Sequence, residues 1–208
     1  MTDGRLARGE RTRAAVLRRA ADIASIEGLD GLTIGRLAAD LQVSKAGVFA
    51  HFGSKEELQL ATIRAASDRF VDAVVAPALD VPDGLGRLVA LCDRFLAYSR
   101  RGVFPGGCFF FSVAAEYDAK PGRLRDEIAA ARRGWLDTYA AVVAAAQRRG
   151  ELDPEADPAT VAFELDALGM AANLHARLCD DPAVYQLARE SMLGRLRVLA
   201  TGRHPALR

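Results

Sequence analysis

Apolar residues recur along this chain at spacings of three and four and almost never alternate strictly, a pattern that predicts helices throughout. The clearest case is short. Ile34, Leu37, Ala38 and Leu41 fall at i, i+3, i+4 and i+7, one stripe of a two-turn helix. Leu41-Gln42-Val43 breaks the period, and Ser44 offers a hydroxyl where a second helix needs its N-cap. That second helix, Ser44 to about His51, is expected to bury Val48 and Phe52 and to turn Lys45, Ala46, Gly47, Phe49 and His51 outward. Two short helices joined by a tight turn, the second exposing small, basic and aromatic groups, read as a helix-turn-helix. After Gly53, Ser54-Lys55-Glu56-Glu57 reads as a capping box that opens a longer helix.

The same period places the other helices. One runs from about Gly9 to Glu27, with Val16, Ala20, Ile23 and Ala24 inward and Gly28 as its stop, behind an arm of residues 1–8. The fourth runs from Ser54 to Pro77 and joins both halves of the chain, with no Gly/Ser-rich linker between them. Later helices are expected at about Leu85–Arg101, Cys108–Tyr117 and Gly122–Arg149. Asp157-Pro158 and Asp181-Pro182, each an N-cap followed by proline, open the eighth and ninth. The residues from Thr201 are expected to fray.

Composition narrows the class. The chain has 208 residues, half of them hydrophobic and 26% charged, which is globular rather than disordered. Its net charge of +1 argues for no partner, but the distribution does. Six arginines among the first 20 residues, Arg11 and Arg13 included, face only Asp3 and Glu10. A basic arm ahead of a helix-turn-helix is the electrostatic footprint of a phosphate backbone. Three cysteines without zinc spacing or a CxxC pair point to reduced thiols in a cytoplasm. No apolar run approaches the roughly 20 residues of a membrane span, and no export signal stands at the N-terminus.

The stretch Val43 to Leu58, VSKAGVFAHFGSKEEL, resembles the TetR family of bacterial transcriptional regulators. It departs from the family pattern at Gln42 (usually Gly), Gly47 (Thr or Ser) and Phe49 (Tyr). The resemblance implies that Thr33, Ser44, Lys45, Phe49, His51 and Lys55 face DNA. Phe49 lacks a hydroxyl for a phosphate, so its contact narrows to an apolar one such as a thymine methyl. Ala46 and Gly47 join it as candidate base-facing positions, and a bare Gly47 lets the helix sit deeper in the groove. Beyond residue 60 the resemblance rests on helix count and on Gly106-Gly107-Cys108 and Glu116-Tyr117-Asp118.

The expected architecture is all-α. Residues 1–53 form a three-helix DNA-binding domain, and residues 54–208 a helical ligand-binding and dimerisation domain. Aromatic side chains concentrate between residues 109 and 139, where core packing competes with a ligand pocket. Leu96, Phe110, Trp135 and Tyr139 are the candidate lining for an apolar or aromatic effector, with Glu116, Asn173 and His175 as polar groups. The eighth and ninth helices are expected to pair with their symmetry mates, Ala162, Gly169 and Ala172 permitting close approach. The reading is a homodimeric repressor of a near-palindromic operator, with no cofactor and no metal site. Two alternatives stand beside it: a DNA-binding protein without effector, and an enzyme using Cys108 as nucleophile with His175. Against the enzyme stand only three histidines, no phosphate loop and no nucleophile elbow.

Overall fold

The computed structural model describes residues 3–207; the side chains of residues 3–8 and Arg11 lie outside that description. Helices α1 (Asp3–Gly31), α2 (Ile34–Leu41), α3 (Lys45–Phe52) and α4 (Lys55–Phe70) come first. A π turn (Val71–Val75) and α5 (Ala76–Leu79) continue α4 without a break. Then follow α6 (Leu85–Arg101), α7 (Phe109–Tyr117), α8 (Arg123–Arg148), α9 (Pro158–Leu178), α10 (Val184–Leu199) and a 3-10 turn, Pro205–Leu207. With residues 55–79 counted as one run, the described residues hold nine helices, and the all-α class stands.

The chain divides into two compact units. The first contains residues 1–69 and 104–130, the second residues 70–103 and 131–208. In the first, Val16, Leu17, Ala20, Ile23 and Ala24 of α1 are buried with Leu37, Val48, Phe52, Leu58 and Ile63. This unit reaches well past residue 53, because α7 lies along α1. Gly106 shows how close the chain comes: a Cβ there would sit 1.8 Å from the Ser25 carbonyl oxygen. In the second unit, α6 is the central helix, buried at Leu85, Leu88, Leu91, Cys92, Phe95 and Leu96, and packed by α9 and α10.

Four expectations are corrected. The segment read as an arm is helical from Asp3, since Leu6, Ala7 and the arginines are strong helix formers and outweigh Gly4 and Gly9. Pro77 does not end its helix. The Ala76 N–H reaches back five residues to Val71, and this wider turn accommodates a ring that lacks an N–H. Asp181 caps a turn by accepting from the Ala183 N–H at 3.0 Å, so α10 starts only at Val184. The chain end does not fray at Thr201: Ala200 pairs with Leu152, Leu207 is buried, and the Arg197 guanidinium donates to the Leu207 carbonyl at 2.9 Å.

Ala162, Gly169 and Ala172 do not face outward to a partner either. All three are buried within the protomer, and a Cβ on Gly169 would lie 2.2 Å from Phe95 Cε1. The small residues let α9 approach α6. The large apolar residues point out instead: Phe163, Leu174 and Leu178 on α9, Leu187 and Val198 on α10.

Candidate nucleic-acid interface

The site is built by caps. Thr33, in extended conformation, accepts from the Arg36 N–H at 3.0 Å and starts α2. Gln42 ends it in the left-handed region, φ 55° and ψ 38°. The Val43 N–H returns to Ala38 and the Gln42 N–H to Ala39, the paired bonds of a Schellman stop. Ser44 then accepts from the Gly47 N–H at 3.0 Å and starts α3. Gly53, also left-handed, stops α3, and the Ser54 hydroxyl accepts from the Glu57 N–H at 3.1 Å at the head of α4. Three residues, Gln42 to Ser44, thus set the angle of α3 against α2.

Glutamine at position 42 has a measurable cost. A left-handed L-residue is strained by roughly 1–2 kcal/mol, while glycine gives back about 0.5–1 kcal/mol in unfolded-state entropy. Gln42→Gly is expected to raise the urea midpoint, with a net gain of up to about 1.5 kcal/mol. A lowered midpoint would show that the turn relies on the glutamine side chain.

Helix α3 buries Val48 and Phe52 and exposes Lys45, Ala46, Gly47, Phe49, Ala50 and His51. An open depression lined by Ile34, Gly35, Lys45, Ala46, Phe49 and Ala50 runs along this outer face. The Lys45 stem lies across Gly35, where a Cβ would meet its Cε at 3.3 Å. Phe49 is 53% exposed, a large apolar ring held toward solvent by a helix whose opposite face is fully packed. A Cβ on Gly47 would meet the Ser44 hydroxyl at 3.1 Å, so this glycine also leaves room for the cap.

The basic residues divide into two groups. Arg19 and Arg36, both half-exposed, are paired with acids of the protein itself: Arg19 grips Asp40 with two hydrogen bonds, and Arg36 reaches both Asp40 and Glu27. Hydrogen bonding from Arg19, the largest influence, holds the Asp40 carboxyl at about 2. Asp40 is therefore ionised at any working pH, and its contribution to stability is lost only as pH falls from the ordinary carboxylate range toward 2. Arg13 places its guanidinium over the Phe52 ring at 5.2 Å. Lys55 is exposed, yet its ammonium donates to the Asp30 carbonyl at 2.8 Å, which leaves two donors for a phosphate. Arg11 lies outside the described side chains.

The candidate effector residues scatter. Trp135 and Tyr139 sit in an aromatic cluster of the second unit, ring centroids 4.5 Å apart, with Phe70 4.9 Å and Phe95 5.4 Å from Trp135. Leu96 is buried on α6. Beside the cluster, fully buried Asp166 accepts from the Trp135 indole at 2.9 Å and from both arms of Arg132. The Tyr139 hydroxyl reaches Cys92 Sγ at 3.8 Å, and burial pushes the Cys92 thiol up to about 12. Asn173 is buried and accepts from Ser99 at 2.8 Å. His175 is elsewhere: exposed, 3.5 Å from Asp181, in a groove between α9 and α10 lined by Leu174, Leu178 and Leu187. Phe110 belongs to the first unit and packs edge-on against Phe109. Glu116 is committed to two backbone N–H groups of α1. Cys108 is buried at the head of α7.

Spacing had no means of revealing the Arg19–Asp40–Arg36 network, the Asp166 cluster or the Glu116 bonds, whose partners lie up to 87 residues apart. Among the described residues no cluster of three or more metal-ligating side chains occurs, and no helix is long and apolar enough to cross a membrane.

Two family models match the chain. Residues 16–62 match "Bacterial regulatory proteins, tetR family", and residues 84–192 match "Tetracyclin repressor-like, C-terminal domain". The HTH-type transcriptional regulator TcmR of Streptomyces glaucescens is 27% identical over 195 residues, 90% of this chain and 83% of the relative. A TetR transcriptional regulator from Chloroflexus aurantiacus has a similar structure, with TM-score 0.82, 26% identity, and coverage of 93% of this chain and 98% of that one. AibR, solved with isovaleryl coenzyme A and operator DNA, shares the fold at TM-score 0.67 and 22% identity, over 89% of this chain and 96% of its own.

Proposed function

The chain belongs to the TetR family of bacterial transcriptional regulators, and on that premise we propose that it is a homodimeric repressor released from its operator by a small apolar or aromatic molecule. DNA contact is assigned to residues 1–53, and effector binding and dimerisation to residues 54–208. The observation that carries the reading is α3, packed on one face through Val48 and Phe52 and bare on the other at Lys45, Ala46, Gly47, Phe49 and His51.

Thr33, Ser44, Lys45, His51 and Lys55 are the proposed phosphate contacts, joined by Arg11 and Arg13 from α1. Their role is register and affinity. Base choice falls to the centre of α3, which exposes no Arg, Asn or Gln and so lacks the side chains that grip a purine edge with two hydrogen bonds. Ala46, Phe49 and Ala50 offer methyl and ring surface instead, suited to thymine methyl groups. Replacing thymine by deoxyuridine across the half-site is expected to cost about 0.8 kcal/mol per contacted methyl, read as a loss of affinity by fluorescence anisotropy. Equal affinity for both duplexes would assign base choice to Lys45 and His51.

For the effector we propose the aromatic interior of the second unit, with Leu96, Trp135 and Tyr139 as lining and Asn173 at its edge. The solved complex of AibR with both an acyl coenzyme A and operator DNA supports a two-ligand scheme of this kind. Residues 55–79 are one helical run that carries the chain out of the first unit and into the second. A ligand that favours one placement of this run shifts the DNA-binding helices, and a coupling of about 1–3 kcal/mol weakens operator binding several-fold to a hundredfold. The test is a panel of apolar and aromatic molecules titrated against the protein–operator complex. Release accompanied by a raised melting temperature supports the scheme. A protein that no member of the panel stabilises or releases is better described as a regulator without effector.

A further inference from the structure

Helix α1 does not run straight into the helix-turn-helix. At Gly28 the backbone leaves helical geometry, φ 76° and ψ 171°, and a last helical turn follows to Gly31. A helix that restarts after such a break leaves its first N–H groups without intrahelical acceptors. Here both go to one side chain. The Leu29 N–H donates to Glu116 Oε2 and the Asp30 N–H to Glu116 Oε1, each at 2.7 Å. The fit requires glycine twice over, by its positive φ and by space, since a Cβ at residue 28 would lie 2.6 Å from Glu116 Oε2.

The same few residues are held from other directions. The Tyr117 hydroxyl donates to Asp30 Oδ1 and the Lys120 ammonium to Asp30 Oδ2, both at 2.7 Å. From α4, the Gln59 amide donates to the Leu29 carbonyl and Lys55 to the Asp30 carbonyl. Only Leu32 and Thr33 then separate this clamped turn from α2.

We propose that Glu116 is the positioning residue of operator recognition, fixing the end of α1 and through it the stance of α2 and α3. The inference rests on the reading of α3 as a DNA-recognition helix. A carboxylate suits the role because its two oxygens accept from two N–H groups at once, whereas a carboxamide has one oxygen and turns an NH2 toward the second donor. Specific binding requires the two recognition helices of a dimer to enter major grooves at a fixed separation. Non-specific binding requires only positive charge near phosphates and tolerates a displaced helix. Loosening the clamp therefore acts on the ratio of the two affinities.

The experiment compares wild type and Glu116→Gln by anisotropy on two duplexes of equal length: the one wild type selects from a randomised pool, and a random sequence. Affinity for the selected duplex is expected to fall about tenfold to a hundredfold, the scale of a lost charge-assisted hydrogen bond, with the random duplex changing by less than about twofold. Lys120→Ala, which loosens Asp30 from an exposed position, should shift the same ratio in the same sense by a smaller factor. It carries the test if Glu116→Gln does not fold. A lowered melting temperature with an unchanged ratio, or equal losses on both duplexes, would reduce Glu116 to a stabilising cap and overturn the proposal. A wild type that selects no duplex over random sequence would instead overturn the DNA-recognition reading.

Discussion

Raising salt from 50 to 200 mM is expected to weaken operator binding by about 10³–10⁵, for a dimer that neutralises roughly 6–10 phosphates. Each protomer must then supply three to five contacts. Arg19 and Arg36 are not counted among them, because Asp40 and Glu27 already neutralise both guanidinium charges. Of the proposed basic contacts Lys45, His51, Lys55, Arg11 and Arg13 remain, with the N-terminal amides of α3, whose partial positive charge favours a phosphate. Lys45 is the most informative to remove. Its stem crosses Gly35 and its ammonium is exposed, so Lys45→Ala should leave the melting temperature nearly unchanged. It should flatten the log–log salt slope by about two, one contact per protomer. Lys55→Ala should flatten the slope and also lower the melting temperature, since its ammonium helps hold the Asp30 carbonyl. Unchanged affinity and slope in the double variant, measured by anisotropy, would remove α3 from the DNA interface.

The other large effect is expected at the outer face of α9 and α10. Phe163, Leu174, Leu178, Leu187 and Val198 are between 45% and 78% exposed there. Burying one such side chain contributes about 1.5–3 kcal/mol, and a two-fold interface buries each of them twice. Scaled to that partial exposure, ten side chains give a gross gain of about 10–20 kcal/mol, at or above most of the roughly 4–15 kcal/mol that association costs, so a dimer is expected. Leu174→Asp combined with Leu178→Asp sets four carboxylates into that interface, where they repel across the axis. The variant should be a folded monomer by light scattering and circular dichroism at micromolar concentration. Its operator affinity should fall by about 10²–10⁴, because binding one half-site no longer brings the second half-site within reach. A variant that remains dimeric would place the interface elsewhere.

Much of the DNA-binding half was legible in the sequence, and the reason is locality. The stripe from Ile34 to Leu41, the Ser44 cap and the Gly53 stop act within three or four residues of themselves, and each stands where the pattern predicts. The left-handed Gln42 follows from the same local geometry. What failed depended on partners that spacing does not name. Ala162, Gly169 and Ala172 signalled close helix approach correctly, but only the fold shows that the neighbour is α6 and not a second protomer. Pro77 is a stop in an ordinary helix and not behind a π turn. His175 and Asn173 lie two residues apart, one exposed and one buried, so one α9 face does not carry both. Glu116 resembles a ligand group in the sequence because nothing near it there reveals its partners at Leu29 and Asp30.

A two-fold dimer of this protein is expected to read DNA with one α3 in each of two major grooves. Hydroxyl-radical footprinting on the duplex selected from a randomised pool tests it directly. Two protected patches are expected on one face of the DNA, related by symmetry, with half-site centres about 34–36 Å apart or a multiple of that. Phe49→Ala should change which sequence is selected, while Lys45→Ala should leave it unchanged and lower protection at both patches. A single asymmetric patch, or protection that follows no sequence, would contradict it.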